Sequence, residues 1–262
     1  MSDPTPKSAL EYISHLEITD PVPPSMIEGE EGEEELTPPD YASGGNQTVA
    51  VGSQIAEFSE NVPVELRPHV SNAFLLAQLA ANKLLKTDPT KNTSDWYGKY
   101  VEVLSNIGWT LEGDARTVRE VAGSSLEVHK EIIPVITAAL GPAAAAAATV
   151  IAVLNGLSNM NKDQPWITLF SHESQRASAN QFQISYADVE DGVPVITLLG
   201  FELDAENAVT QILFFKFGAA EAKLRTFDVR MSLNESIFAS VKDAIQARLV
   251  GYTLNYVGAI EI

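Results

Sequence analysis

The stretch Gln181-Phe-Gln-Ile-Ser-Tyr-Ala-Asp-Val-Glu-Asp191-Gly192-Val-Pro-Val-Ile-Thr-Leu-Leu-Gly-Phe-Glu-Leu203 decides the fold. Phe182, Ile184 and Tyr186 alternate with Gln181, Gln183 and Ser185, the period-2 pattern of a strand with two unlike faces. Val193–Leu203 is apolar at both parities, as expected of a central strand buried on both sides. Asp191-Gly192 between the two runs predicts a tight hairpin turn, because both residues tolerate positive φ. Outward from this hairpin, Trp166–Ser171, Thr210–Phe217 and Glu221–Leu233 also read as strands.

The preceding part of the chain has helical periodicity. Val64–Lys86 carries a broad apolar stripe, and its regular helix is expected to start near Pro68, which fits only a first turn. A second helix is expected over Asp95–Asn106, stopped by Gly108, and Trp109–Val121 reads as an edge strand. Ser124-Ser125-Leu126-Glu127 has the form of a capping box opening a helix over Ser125–Leu140. Gly141-Pro142 then suits a left-handed helix end followed by a first-turn proline, which predicts an antiparallel hairpin with an alanine-rich helix running to Asn159. Asn234 is the expected cap of a last helix over Glu235–Val250, with Ile237, Val241, Ile245 and Leu249 inward, and Tyr252–Ile262 adds a short strand.

The 262 residues suffice for one large domain. Their charge is uneven: of a net −18, residues 1–60 hold 13 acidic residues and one basic one, Lys7. Half of the 14 prolines precede residue 40, and Ile27–Thr37 contains six Glu. Residues 1–60 are therefore read as an acidic, proline-rich N-terminal arm, extended and removable as a pro-segment, and residues 61–262 as the folded domain. The start Met1-Ser2-Asp3-Pro4 has neither a basic n-region nor an apolar h-region, so the expectation is synthesis in the cytoplasm and release by a non-classical route.

Function classes fall away in turn. With no cysteine, a disulfide scaffold, a Cys zinc site and a thiol nucleophile are excluded. The acidic balance argues against nucleic acid as a partner. There is no P-loop, dinucleotide fingerprint, zincin motif or nucleophile elbow, and His15, His69, His129 and His172 have no metal-binding spacing. His172-Glu173 reads as a loop contact. No catalytic residue, metal or cofactor is expected.

One segment has an unusual physical character. Ile132–Asn161 is 30 residues without a charge. As one straight helix it would be long enough to cross a bilayer, but Pro134 and Gly141-Pro142 are expected to interrupt it. It is read as a hairpin packed on the sheet, able to meet lipid in a second state.

Several runs resemble the Cyt cytolytic delta-endotoxins of Bacillus and the structural group they form with volvatoxin-type cytolysins and the virulence factor Evf. They are Ser71-Asn72-Ala73-Phe74, Pro165-Trp166-Ile167, Gly200-Phe201-Glu202-Leu203 and Gln211-Ile212-Leu213-Phe214-Phe215, in an order shared over about residues 60–250. The resemblance implies an α/β (α+β) single domain, a mostly antiparallel sheet wrapped on both faces by α-helical hairpins. It implies a toxin or virulence factor, in part insecticidal, that binds membrane lipid or fatty acid without enzymatic activity and permeabilises the target-cell membrane. An inactive homodimer held by terminal arms and a homo-oligomer on membranes follow from the same likeness. The acyl-cysteine of Evf has no counterpart in a chain without Cys. The membrane- or lipid-contacting residues expected are Ile136, Leu140, Val150, Val153, Leu157, Trp166, Phe201, Phe214 and Phe215. The alternatives are a non-lytic lipid- or fatty-acid-binding protein of the same fold, and an enzyme of unrecognised type.

Overall fold

The computed structural model describes residues 4–20, 36–112, 119–122, 128–140, 144–159, 164–175, 180–204 and 223–260. The hairpin that opened the reading is its centre. Strand β5 (Asn180–Glu190) pairs antiparallel with β6 (Val193–Asp204) in a register that sets Glu190 opposite Val193. Asp191 and Gly192 both have positive φ, 50° and 80°, as a two-residue turn matched to strand twist requires.

Around this pair an eight-stranded sheet is built from β1 (Gln47–Val51), β2 (Gln54–Phe58), β3 (Trp109–Leu111), β4 (Arg119–Ala122), β7 (Lys223–Leu233) and β8 (Val257–Ala259). Its order is β3-β7-β6-β5-β2-β1-β8, with β4 also on β7. The β2–β5 pair is parallel and the others are antiparallel. Val195, Ile196, Leu198 and Leu199 of β6 are all buried, so both faces of the central strand are covered.

On one face lie α2 (Arg67–Thr87) and α3 (Thr93–Asn106), with α7 (Glu235–Arg248) and α1 (Pro6–His15) packed against them. Pro68 occupies the first turn of α2. Asn92 caps α3 through the main-chain N–H groups of Ser94 and Asp95, and Asn234 caps α7 through that of Ile237. On the other face lie α4 (Val128–Ala139), α5 (Ala144–Asn159) and α6 (Pro165–Ser174). The expected sheet between two helical layers is therefore present, in one mixed α/β domain. A single helical turn, α8 (Thr253–Tyr256), precedes the expected C-terminal strand.

Four expectations are corrected. Trp166–Ser171 is helix, not strand: Pro165 takes a first-turn position, and Trp166, Ile167 and Phe170 fall at helical spacing on one core while Leu169 reaches the other. The edge Trp109–Val121 contains two separate short strands, β3 opposite Met231–Leu233 and β4 opposite Lys223–Thr226 of β7. Pro134 does not interrupt the hairpin's first helix but lies inside α4 with its side chain exposed.

The fourth correction concerns residues 1–60. Thr5 and Ser8 form a capping box on α1, whose Ala9 and Ile13 are buried. Arg248 donates to the Leu16 carbonyl at 2.6 Å, and Tyr252 Oη to that of Thr19 at 3.0 Å. Gln47–Phe58 lies within the sheet itself, because its own alternation supplies both faces: Val49 and Val51 to one, Ala50 and Ile55 to the other. The sheet thus begins before residue 61. The box at Ser124–Glu127, the Gly141-Pro142 corner, Thr210–Phe217 and most of the Glu run lie outside the described residues.

Candidate functional site

The expected lipid-contacting residues meet in one place. Ile136 of α4, Val150, Val153 and Leu157 of α5, Trp166 of α6 and Phe201 of β6 share a single apolar core, none more than 8% exposed. Leu140 packs at its margin. Phe214 and Phe215 lie outside the described residues. The strand side of this core is Ala50, Ile55, Phe182, Ile184, Leu199, Phe201, Leu203 and Leu224. Phe182 stacks on Phe201 with ring centroids 4.9 Å apart, and Phe170 of α6 closes on Phe182 at 6.0 Å. In this state these side chains face one another, not solvent.

Sequence reading missed Phe182, Ile184 and Leu199 as members of the site. The signal was there: in a strand, residues two apart share a face, and these sit beside Phe201 in the β5–β6 register. Two polar atoms are buried on this face without a partner, Trp166 Nε1 and Thr226 Oγ1.

The opposite face is built differently. Gln78 of α2 donates through Nε2 to the Val51 carbonyl at 2.8 Å and accepts from the Ser53 main-chain N–H at 3.0 Å. Tyr100 of α3 donates to Gln54 Oε1 of β2 at 2.7 Å, and Gln54 Nε2 donates to Ser185 of β5 at 2.8 Å. Ser53 donates to Gln183 Oε1 at 3.1 Å. Tyr97 Oη lies 3.0 Å from the Phe182 carbonyl and 3.3 Å from that of Phe201. Gln54, Gln78, Gln183 and Tyr100 are buried and Tyr97 is half-buried, and burial raises the Tyr97 and Tyr100 hydroxyls well above the ordinary tyrosine value. A network of this kind is satisfied only while helices and sheet stay together. A cleft of about 70 Å³ opens beside it between α3, β6 and β7, lined by Tyr97, Val101, Leu198, Gly200, Phe227 and Val229.

Three further charged groups make local contacts. Arg67 is fully buried and donates to the carbonyls of Val62, Gly45 and Ser59, tying two loops to the start of α2. Glu57 accepts from the Thr48 hydroxyl, and burial raises its carboxyl while Thr48 and Arg67 oppose the rise. His172 Nδ1 lies 3.2 Å from Glu173 Oε1, on α6 and not in a loop. Among the described residues no group of three His, Asp or Glu could hold a metal ion, and no helix is long and apolar enough to cross a membrane.

Among the described residues, an eight-stranded mixed sheet thus lies between two helical layers, one of them hydrogen-bonded to it through Gln78, Tyr97 and Tyr100. No family model and no curated protein matches the chain. Among solved structures it is similar to a delta-endotoxin, at 12% identity and a TM-score of 0.36, over 82% of this chain and 90% of that one. It is also similar to the Evf virulence factor, at 16% identity and a TM-score of 0.30, over 90% of each chain.

Proposed function

We propose that this chain is a membrane-active cytolysin or virulence factor that binds lipid without catalysis and permeabilises a target membrane after α4–α5 leaves the sheet. The observation that carries the reading is an uncharged hairpin that shares an apolar core with the strand face through Ile132, Val135, Ile136, Val150, Val153, Leu154 and Leu157. Water holds such an interface closed by the hydrophobic effect, and a bilayer removes that force.

With a net charge of −18, zwitterionic lipid is the preferred surface over anionic lipid. In this reading the chain is made in the cytoplasm and released by a non-classical route. It rests as a homodimer, becomes a homo-oligomer at the target-cell membrane, and needs neither nucleic acid nor a cofactor. The acidic N-terminal segment restrains the inactive form. Dye release from phosphatidylcholine vesicles, before and after limited proteolysis, tests the proposal. Release by either form is expected. Intact vesicles with both forms, under conditions where the protein stays folded, would overturn it.

A further inference from the structure

We infer that His69 is an acid-sensitive latch between α2 and α7: with a neutral ring α7 lies closed on α2, and protonation of the ring loosens α7 together with α1, the N-terminal helix packed on it. The inference goes beyond the membrane reading and does not depend on it. His69 is the third residue of α2, in its first turn. Its Nδ1 is buried and has no hydrogen-bond partner. A neutral imidazole can carry its one proton on Nε2 and leave only a lone pair at Nδ1, whereas an imidazolium has an N–H at both nitrogens. Protonation therefore buries a donor without an acceptor, and a charge with it. The two other histidines whose side chains are described have an acceptor at this atom. His15 Nδ1 lies 2.8 Å from the Glu11 carbonyl, and His172 Nδ1 lies 3.2 Å from the Glu173 carboxylate.

The surroundings of the ring also disfavour a cation. The first turn of a helix presents main-chain N–H groups and the positive end of the helix dipole. Among the described residues, the charged groups that face His69 are Lys242 and Asp243, both on α7. On its own helix, the Arg67 guanidinium is bonded to the Val62, Gly45 and Ser59 carbonyls. Burial and Lys242 hold the imidazole below the ordinary histidine value of 6.5, and Asp243 opposes them. The closed joint thus binds a proton less readily than the open one, so acid favours opening. What moves with α7 is set by its other contacts. α1 packs along α7, and Arg248 in the last turn of α7 donates to the Ser14 and Leu16 carbonyls. The tie from α1 to α3 is an exposed bond from Tyr12 to Glu102. Acidity at His69 therefore governs the grip on the N-terminal segment.

Amide exchange of the full chain, followed from about pH 7.5 to about pH 5 and corrected for the pH dependence of the chemical exchange step, tests the latch. In the wild type, opening of Glu235–Arg248 and of Pro6–His15 should increase as pH falls below 6.5. The increase should reach up to about tenfold per pH unit and level off below the folded value of His69. Thr93–Asn106 should not follow. His69→Gln carries no charge at any pH and should remove the increase in both helices. Two further variants leave the ring in place and act in opposite directions. Lys242→Gln takes away a repulsion and should shrink the increase, whereas Asp243→Asn takes away an attraction and should enlarge it. A flat wild-type profile would overturn the inference. So would an increase of the same size in His69→Gln, or a shift in the same direction by Lys242→Gln and Asp243→Asn.

Discussion

Gly200 lies directly under the Tyr97 ring: a Cβ there would come within 2.3 Å of the ring carbon Cε1. The ring in turn packs on Phe227, with centroids 4.5 Å apart, so it has little room to retreat. Gly200→Ala should cost about 1–3 kcal/mol of stability by overpacking. Urea unfolding measures it, and an unchanged midpoint would show that the ring moves freely. Glu57 gives a pH signature. Burial lifts its folded pKa above the ordinary glutamate value of 4.5, so the folded state holds the proton to higher pH than the unfolded state does. The contribution is fully present below 4.5 and is lost as pH rises through the folded value. Glu57→Gln keeps an acceptor for Thr48 and lacks this titration, so its stability relative to wild type should improve as pH climbs. Parallel stability–pH curves would contradict the burial argument. At this scale the sequence was only half legible. Tyr97 and Tyr100 could be assigned to one side of a helix, but their partners lie 46 to 104 residues away, and no local pattern announces them.

Among the elements, α4 carries its own test. Pro134 lacks the N–H that a helix interior uses, and its side chain is exposed, so Pro134→Ala opens no cavity. Pro134→Ala should stabilise the fold by up to about 3 kcal/mol and raise Tm; a lower Tm would mean that the proline serves the packing of the hairpin. The docked α1 changes what proteolysis should do. A Glu-specific protease has six sites within Ile27–Thr37. After cleavage there, the piece bearing α1 should still elute with the rest, because Arg248 and Tyr252 hold its Leu16 and Thr19 carbonyls while Ala9 and Ile13 stay buried. Immediate loss of that piece on gel filtration would show that α1 binds weakly. The elements that could be read in advance had period and punctuation together: β5, β6 and their Asp-Gly turn, α2 with Pro68, and α7 with Asn234. The Trp166 run misled because a short apolar segment satisfies both periods. The segment before residue 20 misled because composition dominated it, although Ala9, Ile13 and Leu16 at i, i+4, i+7 already marked a buried stripe.

For the whole molecule, the residues themselves showed a helical part followed by a strand part, and the sheet between two helical layers was what the family resemblance implied. The chemical difference between the layers was legible in neither. It arises when Gln78 of α2 meets Gln54 of β2, beside Gln183 of β5, between the helices and the sheet, from three elements far apart in the chain. That difference makes a pair of substitutions informative. Leu154→Ala loosens the apolar interface and should cost about 2–5 kcal/mol. Tyr100→Phe loosens the hydrogen-bonded interface, leaves Gln54 Oε1 short of its best donor, and should cost about 1–3 kcal/mol. If α4–α5 is the layer that must leave, the two should differ in activity whatever their stabilities. The decisive measurement is the rate of dye release from phosphatidylcholine vesicles by wild type, Leu154→Ala and Tyr100→Phe, each confirmed as folded. Faster release by Leu154→Ala, with Tyr100→Phe at the wild-type rate, is the predicted result. Equal acceleration by both, or faster release by Tyr100→Phe alone, would contradict it.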